Sequence, residues 1–191
     1  MTWEKPKSSK KCAIIWLNNS KKWMNNMQIR SLIIGFIVGA FVGVIPGFGL
    51  GIYILPILIA EDGANTAQVA DARTQNLAKA VFQRDLKGSD GFHWGDGTLF
   101  LSREQGQYFF TLDGEISPGP DYKLYLTQEL VDDEASFKAI KDTSVYVADI
   151  KAYENFRIAV PAGIDPGDHK AVVIWCERFE EFITAGQLQN Q

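Results

Sequence analysis

Residues 172–179 read Val-Val-Ile-Trp-Cys-Glu-Arg-Phe, an apolar run that ends where Glu177 and Arg178 begin. Its β-branched and aromatic residues favour a strand. Side chains alternate across a strand, so Val172, Ile174 and Cys176 share one face while Val173 and Trp175 share the other. Both faces are apolar, which predicts a central strand covered on both sides. The chain should reach solvent at the charged pair, and Phe179 and Phe182 should fold the tail back on the core.

Working outward, the residues before this strand are short apolar runs separated by turn residues. Thr98–Ser102 (TLFLS) and Gln107–Leu112 (QYFFTL) flank Arg103-Glu-Gln-Gly106, which reads as a hairpin with Gly106 free to take positive φ. Asp113-Gly114 and Pro118-Gly-Pro120 are expected to break the chain before Tyr122–Thr127 (YKLYLT). Ser144–Ala148 (SVYVA) and Phe156–Val160 (FRIAV) follow, the latter closed by Pro161-Ala-Gly163. With Ala171–Cys176 these make six strands, punctuated regularly, and predict an all-β domain: an antiparallel β-sandwich or barrel. Only Glu129–Lys141 carries any helical character.

Further back the composition changes sharply. Ser31–Ala60 contains no Asp, Glu, Lys, Arg or His over 30 residues, more than the roughly 20 needed to cross a bilayer. It is too long for a signal-peptide core and lacks a small-x-small cleavage site, so the expectation is one uncleaved transmembrane helix at 31–60. Pro46 and Pro56, with Gly47, Gly49 and Gly51, should kink or shorten it. Residues 61–80 then read as a linker or short helix, with Val69 and Leu77 isolated among alanines.

The net charge of −4 conceals a division at the anchor. Residues 1–30 hold seven basic residues against Glu4 alone, and the remainder holds 12 basic against 22 acidic. Lysine and arginine near a span retain that end in the cytoplasm, so residues 1–30 read as a basic cytoplasmic tail and the larger part as periplasmic or extracellular. The bilayer is therefore the expected partner of residues 31–60. Nucleic acid is not, because the tail has no folded binding motif and the domain is acidic.

This topology isolates the two cysteines. Cys12 would lie inside and Cys176 outside, so they cannot pair within one molecule. A solitary cysteine in an oxidising exterior is buried and inert, bonded to another chain, or held for reactivity or ligation. Its candidate co-ligands are His93 and His169, with no methionine after Met27. That set does not make a blue-copper centre, where the cysteine and its following ligands share one short loop. C-x-x-C-H is absent, which excludes covalent haem of the c type. Haem held by Cys176 or His93 needs an apolar slot, which Trp175, Trp94 and Phe92 are candidates to line. The acidic stretches Asp132-Asp-Glu134 and Asp165-Pro-Gly-Asp168 do not follow a calcium loop, and the identity of any metal stays unknown.

Phe156–Leu188, together with GPDYKLYL at 119–126 and His93 two residues before Gly95, resembles the DM-thirteen domain, the Skeletor-type electron transfer domain of extracytoplasmic and cell-surface proteins. The resemblance covers 81–188 and rests on GPD-x-x-x-YL, on VPAG and on VVIWC-x-x-F taken together. Two places depart from the family pattern: Phe182-Ile183 replaces the expected phenylalanine-glycine, and the approach to the penultimate strand reads AYENF. The resemblance implies a β-sandwich and a redox or electron-transfer role centred on Cys176, as a free thiol or as ligand to a prosthetic group such as haem. It implies a redox partner protein as well. His93 is the second candidate participant, and Trp175 a third. The rival expectation is a non-catalytic, membrane-tethered binding module with a structural cysteine.

Overall fold

The computed structural model describes residues 9–190, with side chains from residue 28 onward. Lys5 and Lys7 of the basic tail lie outside the described residues, as does the side chain of Cys12. The chain divides into two units, residues 1–50 and 51–191.

Helix α1 spans Ser9–Leu58, and its segment Gln28–Leu58 is long and apolar enough to cross a membrane. The helix continues through Pro46 and ends two residues after Pro56, so neither proline breaks it. It also begins well before the uncharged block.

Within the second unit the end of α1 is followed by a short helix, α2 (Thr66–Thr74). Asn65 starts it with a reciprocal cap: its side chain accepts from the Gln68 amide at 3.0 Å, and its own amide donates to Gln68 Oε1 at 3.0 Å. Nine strands follow: β1 (Asn76–Phe82), β2 (Gly95–Glu104), β3 (Gln107–Ile116), β4 (Tyr122–Thr127), β5 (Val145–Ile150), β6 (Arg157–Ala159), β7 (Ala171–Cys176), β8 (Glu181–Gln187) and β9 (Gln189–Asn190). A helix, α3 (Glu134–Ile140), stands between β4 and β5, inside the stretch that carried helical character.

The strands form two sheets with antiparallel pairings, in the orders β6-β3-β2-β1-β9 and β5-β4-β7-β8. Their facing surfaces enclose the main core, where Leu99, Leu101, Phe110 and Leu112 meet Leu124, Leu126, Val172 and Ile174. The chain leaves the four-stranded sheet after Gln187 and joins the five-stranded one at Gln189, beside β1. One edge of the sandwich is thereby closed by a single strand that changes sheet.

The expected centrality of residues 171–176 is present in full. Strand β7 lies between β4 and β8, and all six of its residues are buried. Val172, Ile174 and Cys176 enter the inter-sheet core. Val173 and Trp175 enter a second cluster with Tyr125, Val131, Phe137 and Phe182, which α3 covers. Phe182 is buried as expected, whereas Phe179 stays 47% exposed at the turn.

Two expectations are corrected, and the hairpin at Gly106 forms as expected. Residues 76–80, read as linker, belong to β1, whose inward residues Ala78, Ala80 and Phe82 are buried. Alanine is a weak strand signal, but on β1 it gives the small side chains that let β8 approach closely. Asp113-Gly114 does not interrupt β3, because Gly114 faces Gly97 of β2 and both adopt positive φ where the strands come close. The hairpin at Gly106 turns on two left-handed residues, Gln105 (φ 49°) and Gly106 (φ 88°), the pattern of a two-residue type I′ turn.

Candidate functional site

Cys176 is the last residue of β7, flanked in the sheet by Tyr122 on β4 and Glu181 on β8. It is 2% exposed. The sequence explains its confinement: beyond the strand, Glu177–Glu180 turn back sharply, with Glu180 at φ 54°, and the Glu177 amide donates to the Asp121 carbonyl at 2.9 Å. The loop before β4 is thus fastened across the end of β7.

Burial pushes the Cys176 thiol above its ordinary value of 9.0. The backbone amides of Phe179, Arg178 and Asp121 pull the other way, while the Asp121 carboxylate adds to the rise. At neutral pH the group is a protonated thiol. A buried, protonated thiol is a poor nucleophile, since attack needs both thiolate and access.

Two tyrosines adjoin this thiol. Tyr122 is 2% exposed, and its ring meets Tyr153 edge-on, with centroids 6.1 Å apart and planes at 84°. Burial raises the Tyr122 phenol far above its ordinary 10.0, and burial raises Tyr153 too. The Tyr122 hydroxyl lies 3.3 Å from Ser117 Oγ, which also accepts from the Trp94 amide at 3.2 Å. The Tyr153 hydroxyl donates to the Gly119 carbonyl at 2.6 Å. Gly119 lies directly against the Tyr122 ring, where any side chain would collide with the phenol. The Gly-Pro-Asp motif therefore has a physical role here: glycine clears room for Tyr122, and the main-chain carbonyl of residue 121 ties the loop to the end of β7.

The other candidate residues lie elsewhere. His93 Nδ1 is 3.1 Å from Asp90 Oδ2, and Asp90 Oδ1 accepts the Phe92 and His93 amides at 2.7 Å each. No hydrogen bond or ion pair joins it to Cys176 among the described residues. The chain after it ties toward the thiol through the Trp94 backbone and Ser117, whose hydroxyl reaches Tyr122. Trp175 points from the opposite face of β7, fully buried against Phe137 at a centroid distance of 5.0 Å. The ammonium groups of Lys141 and Lys138, paired with Glu177 and with Glu134 and Glu180, lie 5.4 and 5.7 Å from its ring centroid, and its Nε1 has no hydrogen-bond partner among the described residues. His169 precedes the other end of β7, roughly 20 Å of strand from Cys176 at about 3.3 Å per residue.

Cys176, His93 and Trp175 are accordingly not brought to one point. Among the described residues no three His, Cys, Asp or Glu side chains are grouped to hold a metal ion. Haem does not fit at the thiol. The space before Cys176 is filled by the core and by Tyr122, and the second aromatic candidate faces away. A groove of about 410 Å³ does exist, lined by Ile57 and Ala60 at the end of the apolar stretch and by Trp94, Ile116, Pro118 and Tyr153 with Asp62 and Glu154, but Cys176 does not line it.

Sequence reasoning missed Tyr122, Tyr153, Ser117 and Asp121 as neighbours of the thiol. Tyr122 and Asp121 stood inside the Gly-Pro-Asp-Tyr motif, which was signal enough to include them. Tyr153 lies in the divergent AYENF segment, and only the folded chain brings it to Tyr122.

A comparison with family models finds a match, described as electron transfer DM13, over residues 85–188. It takes in β2 to β8 and excludes α2 and β1. No curated protein and no solved structure matches the chain.

Proposed function

The chain belongs to the electron transfer DM13 family, and on that premise we propose that it is a membrane-tethered, extracytoplasmic redox module whose redox group is the Cys176 thiol. The charge asymmetry across the apolar span supports the orientation, with the basic side cytoplasmic. One observation carries the choice of mechanism: the thiol is 2% exposed and packed against tyrosine rather than opened to solvent. Thiol–disulfide exchange needs a thiolate that a second sulfur can reach in line. Electron transfer needs no such contact, because an electron crosses packed protein while the donor stays buried. The burial that suppresses exchange thus favours outer-sphere transfer.

The same burial supports the second reading, a binding module in which Cys176 is only core packing. The two readings separate in the full-length protein in detergent. Iodoacetamide should modify Cys176 at least about 100-fold more slowly in the folded chain than in the unfolded one, since both thiolate and access are lacking. A one-electron oxidant should nevertheless consume the thiol in the folded protein. If the oxidant leaves Cys176 untouched, the redox reading is lost and the structural cysteine stands.

A further inference from the structure

We infer that Tyr122 and Tyr153 form the electron path from Cys176 to the groove at Trp94 and Tyr153, and that this groove receives a cationic one-electron acceptor. The inference rests on the redox reading of Cys176 and adds its route and its acceptor.

The route follows from what lies on each side of β7. On the inner side, Cys176 neighbours Tyr122, Tyr122 touches Tyr153, and Tyr153 lines the groove. Both phenols have an oxygen within hydrogen-bond reach, Ser117 Oγ for Tyr122 and the Gly119 carbonyl for Tyr153. A phenol that is oxidised must share its proton with such a neighbour, so both rings are equipped for transient oxidation. On the outer side, Trp175 is the alternative stepping stone. The ammonium groups over its ring are neutralised by Glu134, Glu180 and Glu177, but its Nε1–H has no acceptor for the proton among the described residues. The outer route is disfavoured on that count.

The acceptor's charge follows from the groove. Four carboxylates line it, from Glu61, Asp62, Glu115 and Glu154, and no lysine or arginine does. Lys151 pairs with Glu61 and Arg84 with Glu115, which leaves Asp62 and Glu154 without an ion pair among the described residues. The Arg84 guanidinium also stacks 3.4 Å from the Trp94 ring centroid and holds that wall in place. A cation is attracted to such a mouth and an anion repelled.

In the net step one electron leaves Cys176 and reduces the acceptor by one. The S–H bond breaks, the proton goes to the Asp121 carboxylate, whose charge acts on the thiol although no hydrogen bond joins the two, and a thiyl radical remains. Each tyrosine is oxidised and then reduced again, so neither loses a proton overall. A one-electron donor returns the thiyl radical to thiol with the proton from Asp121.

The test uses the full-length protein in detergent and flash-generated tris(bipyridine)ruthenium(III), a cationic one-electron oxidant. Oxidation of Cys176 is quantified by mass spectrometry of its peptide, and tyrosyl radical by transient absorbance. Tyr153→Phe should lower Cys176 oxidation at least 10-fold, and Tyr122→Phe should do the same while Tyr153 radical still forms. Tyr108→Phe, at the far hairpin, should change nothing. Asp62→Asn with Glu154→Gln should slow the cationic oxidant several-fold and leave the anionic hexachloroiridate(IV) unslowed. Unchanged Cys176 oxidation in folded Tyr153→Phe overturns the path while the redox reading stands. Equal effects of the double variant on both oxidants overturn the cationic acceptor. Absence of Cys176 oxidation in wild type overturns the redox reading itself.

Discussion

The two faces of β7 are both buried and chemically opposite. The inner face sets a thiol beside phenols whose hydroxyls have hydrogen-bond partners. The outer face sets an indole between Phe137 and two lysine side chains, with its N–H unpaired. Adjacent residues of one strand thus occupy separate environments, because the period of two sends them into different cores. Strand burial alone does not tell the two residues apart: Trp175 is 0% and Cys176 2% exposed.

The comparison breaks most readily at Trp175. Trp175→Ala removes the largest fully buried side chain from the cluster under α3 and should cost about 3–5 kcal/mol of stability. Denaturant unfolding followed by circular dichroism measures it. The Cys176 thiol should remain resistant to alkylation in the folded fraction, since its own core is on the other face. Rapid alkylation of folded Trp175→Ala would show that the two faces act as one core.

A second substitution sharpens the inner face. Gly119→Ala places a methyl group against the Tyr122 phenol, and the strain of overpacking should cost about 1–3 kcal/mol. Because the same loop accepts the Tyr153 hydroxyl and is fastened at Asp121 to the end of β7, the thiol should become measurably more reactive to iodoacetamide. An equally destabilising substitution under α3, such as Phe137→Leu, should not raise that reactivity. If it does, thiol protection follows from global stability and not from the Gly-Pro-Asp loop.

How far these features were legible in sequence follows the same division. Strand β7 declared itself, since both faces are built from β-branched and aromatic residues and only a covered strand tolerates that. The six strands with strong apolar runs were legible for the same reason. Strand β1 was not, because Ala78 and Ala80 contribute little strand preference and acquire meaning only from the close approach of β8. Strand β8 (EFITAGQ) was hidden by Thr184 and Gly186, and the segment read only as a tail anchored by Phe182. The site was legible at one residue. Cys176 stood out by being solitary, and Trp175 by standing next to it, yet adjacency in sequence means opposition in a strand. The meeting of Tyr122 with Tyr153 depends on how a loop before β6 returns across the sandwich, which no local pattern encodes.

The smallest effect isolates the thiol itself. Burial raises Cys176 above its ordinary 9.0 in the folded chain, so below pH 9 it is protonated in both states and its contribution to stability is complete. As pH climbs past 9 the unfolded chain releases the thiol proton first, and the fold loses up to about 1.4 kcal/mol per pH unit until the folded thiol titrates as well. Buried Tyr122 and half-buried Tyr153 shift in the same direction from an ordinary 10.0, as does Tyr125 on the outer side, and their loss begins a unit later. Wild type and Cys176→Ala should therefore show different onsets in midpoint denaturant concentration between pH 8 and 11: wild type declines from about 9, and the alanine variant holds until about 10. The later decline is common to both faces of β7, whereas the earlier one belongs to the inner face alone. Coincident curves would mean that the folded thiol ionises as easily as the unfolded one. The amides of Phe179, Arg178 and Asp121 would then outweigh burial, and Cys176 would sit in a thiolate-stabilising turn, open to the exchange chemistry that its burial otherwise opposes.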